Sequence, residues 1–223
     1  MTAVSLTSLR TRVRERADMV GSSFVADAAT GLDAWINEGV QRLHEKLVAA
    51  YAENYIESTS ALTLTAGTSS YALPSDFYKL YTVTLNISGT EYTVKPFMRA
   101  EGSAYKSVTL PYNARPKYRL AGSNIIFLPS TLSTTGTMYY APSATVLSSG
   151  SDTVNFPNGW ERFVVLYAAI QALMKEESSV TALQQELQKQ EQELEEARRN
   201  RDASFPRQVV DLDMVDFVDG WRF

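Results

Sequence analysis

Helical periodicity occupies both ends of this chain and strand chemistry fills its middle, so neither a pure helical bundle nor a lone sheet accommodates it. Leu6, Leu9 and Val13 recur at helical spacing among Arg10, Arg12, Arg14 and Arg16, which predicts a short first helix with one buried stripe. Residues 19–26, with Gly21, end it. A second helix is predicted over 31–55, where Leu32, Trp35, Ile36, Val40, Leu43, Leu47, Tyr51 and Tyr55 keep the three-and-four rhythm. Thr30 is its expected N-cap, and Asp33 lies where the helix dipole favours a carboxylate. At ~1.5 Å per residue this helix is roughly 37 Å long, enough to form a spine.

From Glu57 to Phe156 the composition turns to Ser, Thr, Gly, Tyr and β-branched residues with frequent turn signals. The clearest predicted strand is 81–88, where Tyr81, Val83, Leu85 and Ile87 alternate with Thr82, Thr84, Asn86 and Ser88. Ser88-Gly89 turns it into a hairpin partner at 91–95. Gly122-Ser123 joins a second hairpin of 118–121 and 124–128, and 137–141 is a further strand. Residues 97–115 show no clean period and read as a long loop or a loop holding a short helix.

Helix returns at Asn158-Gly-Trp-Glu161, which reads as an N-cap followed by a capping-box glutamate. Phe163, Val164, Tyr167, Ile170, Leu173 and Met174, with Val165, Leu166, Ala168 and Ala169 between them, make this third helix apolar nearly all round and hence the most buried. A fourth helix is predicted over 179–203. Its narrow seam of Val180, Leu183, Leu187, Gln190, Leu194 and Ala197 is set among Gln, Glu, Lys and Arg, and suits packing on a helix of this chain or on an adjacent subunit. Leu183, Leu187 and Leu194 are the packing residues of that seam. The predicted fold is therefore α+β: a helical bundle formed from both ends of the chain (1–56 and 157–203), a central antiparallel β-rich insertion (57–156) and an extended C-terminal tail (204–223).

That tail, FPRQVVDLDMVDFVDGWRF from Phe205, is too apolar for an ordinary solvated terminus. Phe205, Val209, Val210, Leu212, Met214, Phe217, Trp221 and Phe223 lose favourable transfer energy if left in water, while Asp211, Asp213, Asp216 and Asp219 interleave with Val215 and Val218 among them. The pattern suits an extended segment docking on another chain; the alternative is that it folds back over its own domain.

Composition narrows the chemistry. With 223 residues, 44% hydrophobic and 21% charged, the chain has the make-up of a globular protein. A net charge of -4 argues against nonspecific gripping of nucleic acid, which needs positive surface to release counterions. Zero cysteines remove disulfides, thiolate metal sites and cysteine nucleophiles. No apolar run approaches a membrane span and residues 1–16 lack a signal-peptide block, so a soluble, cytoplasmically made protein is expected. The one histidine, His44, lies on the second helix beside its apolar stripe, and no nucleophile elbow, phosphate loop, dinucleotide fingerprint or zinc motif occurs. Asp211 and Asp213 alone are a weak cation pair. The expectation is no enzyme, no cofactor and no metal. The arginines from Arg10 to Arg16, offset by Glu15 and Asp18, read as a solvated face or as partners for a neighbour's acids. Tyr71, Tyr78, Tyr81, Tyr92, Tyr139 and Tyr140 read as half-buried packing, with a stacking platform as the alternative.

Taken in sequence, Asp33-Ala-Trp35-Ile36-Asn37-Glu38-Gly39, Tyr71-Ala-Leu73-Pro74-Ser75-Asp76-Phe77, Pro116-Lys-Tyr118-Arg-Leu-Ala-Gly122 with Ile126-Phe-Leu-Pro129, Met138-Tyr-Tyr140-Ala-Pro142, and the helix from Trp160 to Tyr167 resemble the head-to-tail adaptor, or connector, proteins of tailed bacteriophages. The resemblance spans the chain to about Arg201, and none of its motifs is catalytic. It implies a virion protein at the head–tail junction, or neck, that forms a ring under the portal, a dodecamer by analogy, and continues the DNA channel toward the tail. The partners so implied are the chain itself, the portal protein and a downstream tail or nozzle protein. DNA would pass without sequence-specific binding, and no membrane is involved. The tail residues from Phe205 would dock on the portal, an assignment resting on their apolarity rather than on a family motif. Alternatives are a stopper or tail-proximal neck protein and, in another class, a carbohydrate-binding β module.

Overall fold

The computed structural model describes residues 2–99, 116–156 and 159–197. Strand β1 (Thr2–Ser5) runs into helix α1 (Leu6–Arg16), whose cap is the Ser5 hydroxyl accepting the Ser8 N–H at 3.2 Å. Helix α2 (Leu32–Tyr51) begins one residue later than expected. Thr30 is not its N-cap. Gly31 takes that place with no side-chain cap, because the Leu32 N–H is already satisfied by the Ala26 carbonyl at 3.0 Å. The helix also stops four residues early, at Ala52, whose φ of 47° cannot propagate it, and tightens into a 3₁₀ turn over Ala52–Asn54.

Nine further strands and two helices follow among the described residues. They are β2 (Ser58–Leu64), β3 (Ser70–Ala72), β4 (Phe77–Ile87), β5 (Thr90–Thr93), β6 (Lys95–Pro96), β7 (Lys117–Ala121), β8 (Asn124–Leu128), β9 (Thr134–Pro142), β10 (Thr153–Phe156), α3 (Glu161–Lys175) and α4 (Thr181–Ala197). The architecture is mixed α+β with antiparallel sheets, ordered β2-β9-β4-β5, β3-β8-β7-β6 and β1-β10; the short β6–β7 pair alone is parallel among the described residues. Strand β4 begins four residues before the predicted 81, and its pairing with β9 shifts register twice before Thr82. From there Val83 and Leu85 are fully buried, as alternation requires. The β4–β5 turn places Ser88 and Gly89 at φ 54° and 83°, the conformation that a two-residue hairpin needs. Helix α3 starts at Glu161 with Trp160 at the cap position and no side-chain cap bond; Asn158, the expected cap, lies outside the described residues, as do 198–203 of the predicted fourth helix.

Two apolar clusters organise the chain. The first gathers Leu6, Leu9 and Val13 of α1, Ile36, Leu43 and Leu47 of α2, Phe163, Val164 and Ala168 of α3, and Leu194 of α4. Every residue of α3 from Phe163 to Ile170 is buried. The second cluster lies within the strands: Leu62 and Leu64 of β2, Val83 and Leu85 of β4, Ile125 and Phe127 of β8, and Met138 of β9. Glycine sets the closest approaches in both. A Cβ at Gly39 would lie 3.2 Å from Tyr167 and 3.3 Å from Val164, where α2 meets α3. A Cβ at Gly136, in the central strand β9, would lie 2.1 Å from the Thr84 carbonyl oxygen and 2.6 Å from Leu85.

Between the clusters the chain leaving β9, residues 142–147, crosses α2 as a strap held at both ends. The Asn37 amide donates to the Leu147 carbonyl at 2.9 Å and accepts the Leu147 N–H at 2.7 Å. Two turns further along the same helix face, His44 donates its Nε2–H to the Pro142 carbonyl at 2.9 Å, which fixes the tautomer. Burial lowers the His44 pKa below its ordinary value, outweighing the Pro142 bond and the nearby Glu45 charge.

Two outcomes are expected. Gly136→Ala forces backbone apart in a central strand and costs about 3 kcal/mol in urea unfolding; unchanged stability would show that β4 and β9 give way freely. For His44, the native pKa is depressed below the unfolded value of 6.5. The unfolded chain therefore takes up the proton first, and the stability that neutral His44 contributes is full above 6.5 and lost as pH falls toward the folded pKa. His44→Asn, which retains an amide donor, removes that slope between about pH 7 and pH 5.5, where carboxylates are largely ionised. An equal slope in both proteins would refute the assignment.

Candidate functional site

The residues expected to dock, Phe205, Val209, Val210, Leu212, Met214, Phe217, Trp221 and Phe223, lie outside the described residues. The described part of the candidate surface is the fourth helix and the faces around it. Leu183 and Leu187 are half-buried against the helical cluster, and Leu194 is buried within it. Gln190, on the same seam, is buried and its Oε1 has no hydrogen-bond partner among the described residues. The seam is thus turned toward the helices of its own chain.

Charge ties α4 down from two sides. Glu186 accepts from both Arg16 of α1 and Arg162 of α3, and Lys46 of α2 reaches Glu191 at 3.1 Å. Gln184, Gln185, Gln188, Gln192, Glu193, Glu195 and Glu196 are exposed on the other side. This outward face is hydrophilic and acidic, suited to polar contact rather than apolar burial.

The arginines of α1, expected on a solvated face or against a neighbour, are instead used within the chain. Arg10 clasps Asp33 through two bonds of 2.7 Å, Nε to Oδ1 and Nη2 to Oδ2, with the carboxylate buried at the first turn of α2. The pairing raises the Arg10 pKa. Arg14 donates to the Ser22 and Val25 carbonyls and to Asp27, which pins the loop between α1 and α2. Arg12 meets Glu161 at 3.4 Å. A partner twenty or more residues away leaves no trace in local spacing.

The tyrosine hydroxyls are also largely engaged inside the fold. Tyr71 accepts from the Thr65 N–H at 2.8 Å and donates to the Thr68 carbonyl at 3.0 Å. Tyr81 donates to the Ile56 carbonyl at 3.1 Å, and burial pushes its pKa up to about 12. Tyr140 is buried against Asp76 at 2.9 Å, with its pKa raised mainly by that burial. Tyr78 is the more open ring, at 42% exposure, and stands 5.8 Å from the His44 ring. His44 itself faces a backbone carbonyl and two tyrosines, an arrangement that offers no nucleophile to activate. Among the described residues no group of three or more His, Cys, Asp or Glu is placed to hold a metal, and no helix is long and apolar enough to cross a membrane.

Some large apolar side chains stay open around the α1–α2 loop and the end of α3. Val20 and Met174 are 73% and 53% exposed, Phe24 is 51% exposed, and the Lys175 ammonium lies 5.5 Å from the Phe24 ring and 5.9 Å from that of Trp35. Met174 and Trp35 belong to the helical stripes, whereas Val20 and Phe24 sit in a loop whose lack of periodicity gives no signal.

No curated protein matches the chain. The family model described as SU10 adaptor protein matches residues 4–211, from β1 through the sheets and all four helices and on beyond Ala197. Such coverage places the chain in the SU10 adaptor protein family, a family of phage head–tail adaptors.

Proposed function

We propose that this chain is a structural head–tail adaptor that assembles as a ring, a dodecamer, beneath the portal and carries the DNA channel toward the tail. The family match over residues 4–211 is the observation that carries this reading; it implies a component of the virion. In the assembly the helices from both ends of the chain form the ring wall as one bundle. The β region, 57–156, faces the downstream tail or nozzle protein, and Phe205 to Phe223 anchor on the portal. Support comes from the shared apolar cluster of the four helices, the separate cluster of the strands, and a tail whose aromatic and aliphatic side chains need a receiving surface. The outward acidic face of α4 and the exposed Val20, Phe24 and Met174 side chains are surfaces open to neighbouring copies. A net charge of -4 suits passage of DNA without adhesion or sequence reading. The role needs no cofactor and no catalysis.

Co-sedimentation with the assembled portal ring tests this. Full-length protein is expected in the pellet with the portal, and protein truncated before Phe205 in the supernatant with an unchanged circular dichroism melt. Equal pelleting of both removes the tail as anchor; pelleting of neither removes the portal as partner.

A further inference from the structure

The strap that crosses α2 leaves a groove of about 460 Å³ along one side, between the helix and residues 143–146. Its walls are set before any partner arrives. Asn37 fixes one end of the strap through Leu147, and His44 fixes the other through Pro142. Small apolar side chains, Ala34, Ala144 and the 73% exposed Val146, share the lining with Ser143 and Thr145 of the strap. At the far end the open Tyr78 ring stands beside His44.

The helix side is acidic. Glu38 and Glu45, seven residues apart on α2, both line the groove, roughly 10 Å from each other along the helix axis. Glu38 is occupied: it accepts the Tyr167 hydroxyl and lies 3.7 Å from Arg42, which itself sits 4.8 Å over the Tyr167 ring. Glu45 is held in place by the Gln41 amide at 3.1 Å and meets no cationic side chain among the described residues. An exposed carboxylate steadied by a neutral donor, in a groove that also holds an open aromatic ring and small apolar side chains, matches a guanidinium or ammonium on an aliphatic stem. The same charge repels nucleic acid.

We propose that this groove is a docking slot for a peptide segment of a partner protein that carries an arginine or lysine side chain. The cation sits between Glu45 and the Tyr78 ring, its stem lies along Ala144, and the flanking peptide runs on over Val146 toward Ala34. The site does not depend on where the protein stands in the virion.

The test is NMR titration of the ¹⁵N-labelled full-length chain with Ac-Ala-Arg-Ala-NH₂ and, in parallel, Ac-Ala-Gln-Ala-NH₂. The arginine peptide is expected to give saturable shifts at Gln41, Glu45, Tyr78 and Thr145. Affinity should be about tenfold weaker for the glutamine peptide and for Glu45→Gln, a surface change that leaves the strap clamps intact. Tyr78→Leu should weaken it again. Equal shifts with both peptides, shifts insensitive to Glu45→Gln, or no shifts at these positions would overturn the proposal. So would groove signals that already differ between the full chain and one truncated before Phe205, since the chain's own tail would then be the occupant.

Discussion

Helix α2 is gripped from two sides, and the arrangement of the molecule depends on that grip. On one face Gly39 removes the side chain that would collide with Tyr167 and Val164, so α3 comes close enough to complete the helical cluster. On another, Asn37 and His44 hold the strap that leaves β9. These two side chains satisfy backbone groups that a crossing loop would otherwise bury unpaired, the condition for running irregular chain over a helix. The strands are thereby tied to the helices through a polar joint, beside the apolar contacts that Ala141 of β9, Phe156 of β10 and Tyr81 of β4 make with the helical cluster. A joint of two side chains is specific in position and modest in area.

The charged residues follow the same logic of internal commitment. Arg10, Arg14 and Arg16 each reach a partner in a different element: the start of α2, the loop before it, and α4. The bidentate Arg10–Asp33 pair is the most sheltered and so the least weakened by salt; the Glu186 contacts are more open and contribute little individually. Glu195 and Glu196 of α4 and Glu45 of α2 are exposed carboxylates that meet no cationic side chain among the described residues. A protein that lines or borders a DNA path gains from that residue balance, because carboxylates neither grip the backbone nor neutralise it.

Much of this was legible in the sequence where a period was legible. The stripes of α1, α2 and α3, the alternation of Val83 and Leu85, and the two glycine-bearing hairpin turns all depend on neighbours within a few residues. The element ends were less so. Thr30 and Tyr55 fit helical templates, yet Ala26 satisfies the first amide of α2, and Ala52 adopts a left-handed φ that composition gives no reason to expect. Strands β1 and β10 were missed because each has four residues and gains its meaning only by pairing with the other across the chain. Asn37 and His44 carried no signal as joint residues, since a polar side chain beside an apolar stripe reads as surface until the crossing loop is known. The proposed tail anchor rests on chemistry alone: apolar residues spaced by aspartates, with no period to say what receives them.

Cryo-electron microscopy of the virion neck tests the central claim most directly. The account predicts that this fold appears as a closed ring directly beneath the portal, with density for Phe205 to Phe223 running onto portal subunits and the strands facing the tail. A neck whose portal-proximal ring is built from another protein, with this chain elsewhere in the particle or missing from it, would contradict the account.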